Sequence, residues 1–492
     1  MSGTDVGNLR LFGREPKIKV LHLSWVAFFI SFFVWFNHAP LMAAIRETFA
    51  LSKEQVAALL IMNVALTIPA RVAVGILVDK FGPRLMYTIL LAVSGVICIG
   101  FAFAPSYDVL AIMRFLLAFV GAGFVIGIRI ISDWFPAKET GYAQGIYAGL
   151  GNFGSAAGAV TLPSLALAFG GPEGWRWAIA TTGVIAIAYS AIYYASVTDV
   201  PKGSTYFSPK KAGAMEVTSR ADFVLYCVMQ APLVMALGVL AWKLGPGELN
   251  LITWTAEWAI YAALALLYCV QLGDAWRINR GIFDKPVAEI HRYRFRQVAI
   301  LDVAYMITFG SELAVVSILP LLFKDVFGLS LSVAGFLGAS FGMTTFFARP
   351  AGGWLSDRFG RRRVLIWCLA GTTLGYGAMS FMGLRTGVAF AVIATFMCSL
   401  FVNAGNGAVY AMLPMIKRRL TGQIAGMVGA FGNVGGVLFL TIYSAVDVGT
   451  FFMVASCAAL LALGLTAMFI DEPRGQMAEE MPDGSIAMID VR

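Results

Sequence analysis

Charge is the scarcest property of this 492-residue chain: 13% of its residues are Asp, Glu, Lys or Arg, against 59% hydrophobic ones. A soluble domain carries roughly 25% charged residues. The deficit excludes a water-facing surface over most of the chain, and with it soluble enzymes and nucleic-acid binders. Histidine is nearly absent, with three copies at no ligand spacing, so no metal site is read. Cysteine is sparse as well. Its six copies (Cys98, Cys227, Cys269, Cys368, Cys398, Cys457) fall inside apolar runs without a CxxC spacing. They read as small buried hydrophobes rather than disulfides or metal ligands. With no cysteine or histidine cluster to hold a redox group, no cofactor and no enzymatic activity are expected. The N-terminal residues carry no small-residue cleavage site after a short apolar core, so the first apolar run is expected to stay as a span.

What fills the chain instead is a series of apolar runs of about 20 residues or more, the length of a membrane crossing. Six lie near 20–45, 54–79, 84–104, 108–132, 141–169 and 176–197; two more are 222–243 and 251–272. Another six follow near 298–323, 331–356, 362–384, 387–415, 422–446 and 449–470. The expected fold is an all-α polytopic membrane protein with 14 spans: an arm (1–19), a six-helix half (20–197), basic linkers with two extra helices (198–297), a second six-helix half (298–470) and a tail (471–492). The basic residues that give the net charge of +8 collect in loops on one side: Arg10, Arg14, Lys80, Arg84, Lys138, Lys202, Lys210, Lys211, Arg292, Arg358, Arg361 to Arg363, and Lys417 to Arg419. The opposite loops hold scattered basics such as Arg46, Arg176, Lys324 and Arg385. Positive residues stay inside, so both termini are expected in the cytoplasm and the protein in a cell membrane. The lipid bilayer is its environment, and a monomer is expected.

The halves repeat. Arg71-Val72-Ala73-Val74-Gly75-Ile76-Leu77-Val78-Asp79-Lys80-Phe81-Gly82 recurs as Arg349-Pro350-Ala351-Gly352-Gly353-Trp354-Leu355-Ser356-Asp357-Arg358-Phe359-Gly360. Gly151-Asn152-Phe153-Gly154 recurs, at nearly the same separation, as Gly432-Asn433-Val434-Gly435. Parallel repeats with a substrate site at their interface are a transporter architecture. Each arginine lies about 12 Å inside the turn that ends its run, close to the midplane of a hydrocarbon layer about 30 Å thick. A charge there costs roughly 2.5–3.5 kcal/mol even on lenient scales and marks a functional site. An arginine fork is planar and permanently charged, so one from each half can clamp a small planar oxyanion. Alternatively each arginine is held by a buried carboxylate; Asp302, Glu312 and Asp133 are the candidates, although Arg129 is the simpler partner of Asp133. The glycines (Gly149, Gly151 and Gly154; Gly432 and Gly435) smooth helix faces for close approach and sliding. Asn152 and Asn433 either donate to the anion or to a neighbouring helix.

The doubled Gly-x-x-x-Asp-(Lys/Arg)-Phe-Gly loops and Arg114-x-x-x-x-x-x-Gly121 resemble the major facilitator superfamily. Within it, Val34 to Leu41, Gly145 to Gly154 and Gly422 to Gly436 resemble the nitrate/nitrite porter family over both halves, but not over 198–297. The resemblance implies the major facilitator fold, with nitrate or nitrite held by Arg71 and Arg349. It implies an aromatic sandwich drawn from Tyr305, Phe309 and Phe124, expected here between Tyr305 and Phe309. The expected cycle is rocker-switch alternating access about a midplane site, with the Asp79 and Asp357 loops and Arg114 latching the cytoplasmic side, or serving general loop stability.

Two features depart from family members described as exchangers: the extra helix pair, and Glu312 after Phe309-Gly310-Ser311. A carboxylate that deep suits a proton relay, so proton-coupled nitrate symport is expected. A fixed counter-ion for an arginine is the alternative role for Glu312, and nitrate/nitrite antiport the alternative function. A transporter of another small anion such as a carboxylate, and a membrane sensor that binds nitrate without moving it, are the remaining rivals; no kinase, cyclase or DNA-binding module supports the sensor.

Overall fold

The structure is a computed structural model. It describes residues 13 and 15–490 except 202, 204–213, 249, 251, 286, 330, 384–385, 473–474 and 481–485. Arg10, Arg14, Lys202, Lys210, Lys211 and Arg385, used above for orientation, lie outside the described residues.

The first half begins with α1 (Pro16–Phe36), opened by a proline that needs no N–H partner in a first turn. The expected 20–45 run does not continue as one helix. The missing N–H of Pro40 interrupts it, and a 3₁₀ turn (Ala39–Leu41) leads to a short α2 (Met42–Phe49). The second rod is α3 (Lys53–Ala65), started by a Ser52/Gln55 capping box, then α4 (Thr67–Phe81). Next come α5 (Pro83–Ala102), α6 (Tyr107–Leu117), α7 (Gly123–Trp134), α8 (Ala137–Phe169) and α9 (Gly174–Ser196). The 3₁₀ stretch Ala118–Ala122 separates α6 from α7 within one rod. The extra pair is α10 (Arg220–Leu244) and α11 (Trp254–Asn279), followed by a single turn, α12 (Gly281–Asp284).

The second half repeats the plan: α13 (Phe295–Phe327), α14 (Leu331–Met343), α15 (Thr345–Phe359), α16 (Arg361–Met379), α17 (Gly387–Met412), α18 (Thr421–Ala445) and α19 (Val448–Phe469). Its second rod is interrupted at Thr344, as the first half's is at Leu66. Each break falls about one turn before the repeated arginine. Both Asp-basic-Phe-Gly turns end their helix on a glycine at positive φ, Gly82 at 84° and Gly360 at 99°, a conformation that side chains with a Cβ rarely adopt.

Among the described residues, eleven helical segments are long and apolar enough to cross a membrane. The fourteen-span expectation therefore rests on these and on three further rods: the two interrupted ones, and α16, which opens on Arg361 to Arg363. One element is not helical. The tail pairs β1 (Gln476–Glu480) with β2 (Ile486–Asp490) antiparallel, Gln476 opposite Asp490.

Within the halves α1 packs on α8 and α13 on α18; across them α4 packs on α18 and α8 on α15. Glycines permit the cross-half contacts: a Cβ on Gly75 would lie 2.6 Å from the Gly422 carbonyl oxygen. The extra α10 lies against α18, α13 and α3, while α11 faces mostly outward.

Candidate functional site

Arg71 and Arg349 meet where α4, α7, α13, α15 and α18 converge, and both are buried. Arg71 is tied to both halves: Nε donates to the Gly121 carbonyl (3.1 Å) and Nη1 to the Gly429 carbonyl on α18 (2.7 Å). Its Nη2 makes no hydrogen bond. Arg349 Nη2 donates to Glu312 Oε2 (3.1 Å), while its Nε makes none. The two guanidinium carbons lie 5.1 and 5.2 Å from the centre of the same ring, Phe309. They lie 5.5 and 6.0 Å from the Phe124 ring. Such cation–π contacts hold the two cations beside each other without neutralising them. The only carboxylate hydrogen-bonded to the pair, among the described residues, is Glu312. It also accepts from Asn406 Nδ2 (2.6 Å) and the Thr345 hydroxyl (3.2 Å). Two arginines and one carboxylate leave an excess of one positive charge.

The aromatic sandwich differs from expectation. Tyr305 and Phe309 are four residues apart on one helix, so their rings share a face and stack on each other, centroids 4.9 Å apart. A flat ion between two rings needs about 7 Å, twice a carbon contact distance. The pair near that spacing is Phe124 and Tyr305, from opposite halves, 6.3 Å apart and 5° from parallel. Tyr410, not singled out above, packs edge-on to both, at 4.5 and 4.8 Å. The Tyr305 hydroxyl is buried without a hydrogen-bond partner. Gly432 makes room for this cluster: a Cβ there would lie 2.7 Å from ring atoms of both Tyr305 and Phe309. Gly432→Ala should overpack the rings at a cost of about 1–3 kcal/mol, weakening anion binding roughly 5- to 100-fold. The KM of uptake by purified, reconstituted variant checks this.

Other expected residues are dispersed. Asn433 Nδ2 donates back to the Gly429 carbonyl (3.1 Å), leaving its Oδ1 unpaired. No hydrogen bond joins Asn152 to either arginine among the described residues; its buried Oδ1 is also unpaired. Gly149 faces Thr345 and Pro350 of the other half, whereas Gly151 and Gly154 face Phe28 and Phe29 of α1. Gly435 faces the Met306 carbonyl on α13. Asp302 pairs with neither arginine: it is fully buried on α13, and neither carboxylate oxygen has a hydrogen-bond partner.

On the face that carries the basic loops, carboxylates bridge the halves. Asp79 accepts from the Gln423 backbone N–H (3.0 Å) at the start of α18. Asp357 accepts from the Tyr142 N–H (2.9 Å) near the start of α8. Asp79 thus caps the N-terminus of α18, where a negative charge is favoured, and Asp357 reaches a backbone N–H in the second turn of α8. Within its own half Asp79 pairs with Arg129 (2.9 Å), which also holds Asp133 (3.0 Å), and Asp357 pairs with Arg361 (3.0 Å). Arg114 is not in this latch. It lies one rod-half away, bonded to the Trp35 carbonyl and the side-chain oxygens of Asn37 and Asn63. The chain enters this rod from the opposite face, so Arg114 lies about 22 Å along the rod from Arg129. Arg129, an arginine inside an apolar run beside a basic loop, was the signal for the latch.

A family model described as Major Facilitator Superfamily matches residues 24–276 and 301–485. The nitrate/nitrite transporter NrtP of Nostoc punctiforme is 42% identical over 481 residues, covering 95% of both chains. NrtP of Picosynechococcus sp. is likewise 42% identical, covering 94% of both. Among solved structures, the human organic anion transporter MFSD10 superposes with a TM-score of 0.65 over 92% of this chain and 100% of that one; at 11% identity this shows the fold alone.

Proposed function

This chain belongs to the Major Facilitator Superfamily, among its nitrate/nitrite transporters, and on that premise we propose that it carries nitrate and nitrite across a cell membrane by alternating access. The observation that carries the reading is the set of unpaired polar groups at the convergence of the halves. Arg71 Nη2, Arg349 Nε and the Tyr305 hydroxyl are buried without hydrogen bonds beside the near-parallel Phe124 and Tyr305 rings. Buried donors left unpaired cost about 1–3 kcal/mol each, and a flat anion with three acceptor oxygens relieves that cost at once. While Glu312 is ionised, the anion's charge cancels the positive excess of the site, and with a proton on Glu312 it halves the charge of the two arginines. The site is completed by one chain, which fits a monomer. The basic face lies in the cytoplasm, with both termini, and the halves rock about the site.

Protons couple to this cycle through Glu312. Arg349 binds either Glu312 or the anion most strongly, not both; a proton on Glu312 releases the fork to the anion. The second reading rests on the same residues. Three donors around Glu312 are also what a fixed counter-ion has, and then the protein exchanges nitrate for nitrite. Reconstituted protein separates the two. Symport predicts nitrate accumulation driven by an inward proton gradient alone, and Glu312→Gln should abolish it while sparing exchange. Accumulation that needs internal nitrite, or survives in Glu312→Gln, assigns Glu312 to the counter-ion role.

A further inference from the structure

We infer that Asp302 is a second proton-carrying group, loaded while the basic face is sealed and emptied when that face opens. The inference rests on the transport reading above, but on a different residue from Glu312. Asp302 lies about 10 Å along α13 from its start at Phe295, on the basic-face side of the anion site, and one turn, about 4.5 Å, before Tyr305. It is completely buried, and both carboxylate oxygens lack a partner. Glu312 on the same helix has three donors. An ionised carboxylate without a donor or a cation is very costly in an apolar interior, whereas a neutral carboxyl costs only a few kcal/mol. In the sealed conformer Asp302 therefore carries its proton.

Among the described residues, the elements packed on α13 place no ion-pair partner on Asp302. The helical stretches of α14, α18 and α19 contain no charged side chain, and Cys457 and Tyr443 are their titratable groups. On α17 the titratable groups are Cys398 and Tyr410. On α16, Arg361 is spent on Asp357 and the Ala411 carbonyl, and Arg362 on the Ala467 carbonyl; Arg363, Cys368 and Tyr376 complete its set. On α10 the groups are Arg220, Asp222, Tyr226, Cys227 and Lys243, with Lys243 bonded to Glu248. Lys417, buried in the turn before α18, has interactions of its own.

What seals Asp302 from water on the basic side is the pair of cross-half bonds, Asp79 on α18 and Asp357 on α8. When they part, water reaches the flank of α18 against α13, the carboxyl ionises, and its proton leaves to that side. Resealing requires the carboxylate to take up a proton again, delivered through the water that fills the anion site one turn away when the opposite face opens. The proton crosses with the anion and no other atom is exchanged.

The test uses Asp302→Asn, an isostere of the protonated form, in proteoliposomes. Nitrate counterflow at equal pH should stay within about threefold of the parent, which also reports correct folding. Accumulation driven by an inward proton gradient should fall at least about tenfold, and protons moved per nitrate, read with an entrapped pH dye, should fall. Unchanged gradient-driven accumulation with an unchanged proton count overturns the inference. So does loss of counterflow together with accumulation in a monodisperse, nitrate-binding variant, which makes Asp302 part of the moving frame. A parent that exchanges nitrate for nitrite and moves no protons overturns this assignment and leaves the transport reading standing; a parent that moves no nitrate overturns both.

Discussion

Arg71→Lys should lower nitrate uptake by at least about 100-fold while keeping the charge at the site. The guanidinium does three things at once: Nε holds the Gly121 carbonyl, Nη1 holds the Gly429 carbonyl, and Nη2 remains for the anion. An ammonium is a point donor on a flexible stem. If it serves the anion, it leaves one or both of those carbonyls short of a donor; if it serves a carbonyl, the anion loses its bond. Hydrogen bonds to charged groups are worth about 1.5–3 kcal/mol each, so losing two of the three, about 3–6 kcal/mol, amounts to two or more powers of ten in binding. The Gly429 bond crosses between the halves, so the loss should appear in the turnover rate as well as in KM. Initial rates of labelled nitrate uptake, at matched levels of reconstituted protein, measure both. Uptake within a few-fold of the parent in Arg71→Lys would refute recognition by a planar fork.

The arginine pair was the most legible part of the molecule, for a thermodynamic reason. A cation inside an apolar run is too costly to be accidental, and finding it twice at the same distance from the same turn fixes both its depth and its counterpart. The all-helical, many-span plan was legible on similar grounds, since length and hydropathy mark a span, and eleven helical segments meet that measure among the described residues. Breaks inside spans were not. Pro69, whose missing N–H leaves the Ala65 carbonyl without its helical donor, follows Leu66 by three residues, and Gly342 precedes Thr344 by two; but prolines also sit inside unbroken rods here, as Pro163 does in α8, so neither residue announces a break by itself.

Partners across helices were the hardest to read. Tyr305 and Phe309 look like two faces of a slot in the sequence, but an i, i+4 pair on one helix stacks on itself. The second face comes from Phe124, whose proximity depends on how the halves close. Arg129 was read as the partner of Asp133 one turn away, which it is; that it also reaches Asp79 on another helix is a tertiary fact. Arg114 shows the converse, a motif residue assigned to the wrong face until the direction of its rod was traced. The role of α10 was open from sequence alone. Its place against α18, α13 and α3 puts it beside the cross-half seam rather than at the periphery.

Asp79→Asn should shift the resting population toward the state open on the basic face by about 10- to 100-fold. The buried Asp79 carboxylate makes two kinds of contact, and they belong to different equilibria. Its pair with Arg129 joins α4 to α7 inside one half, so it survives the rocking motion and contributes to stability in both states. Breaking such a buried pair costs about 3–5 kcal/mol when one charge is left uncompensated, but Asp133 still holds Arg129, so the loss should be smaller here. The bond from the Gln423 N–H joins the halves and exists only while the seal is closed. A charged acceptor at that position is worth about 1.5–3 kcal/mol, and an amide recovers only part of it. That difference acts on the closed state alone and sets the population shift. Asp357→Asn should act in the same direction through Tyr142, and because the two bonds lie on separate helix pairs their effects should add. The readout is maleimide labelling of Ala425→Cys, on the stretch of α18 that is completely buried while the seal holds. Labelling from the basic side should run about 10- to 100-fold faster in Asp79→Asn than in Ala425→Cys alone, and faster again in the double variant. Unchanged labelling in all three would show that the two carboxylates stabilise their loops and do not gate the site.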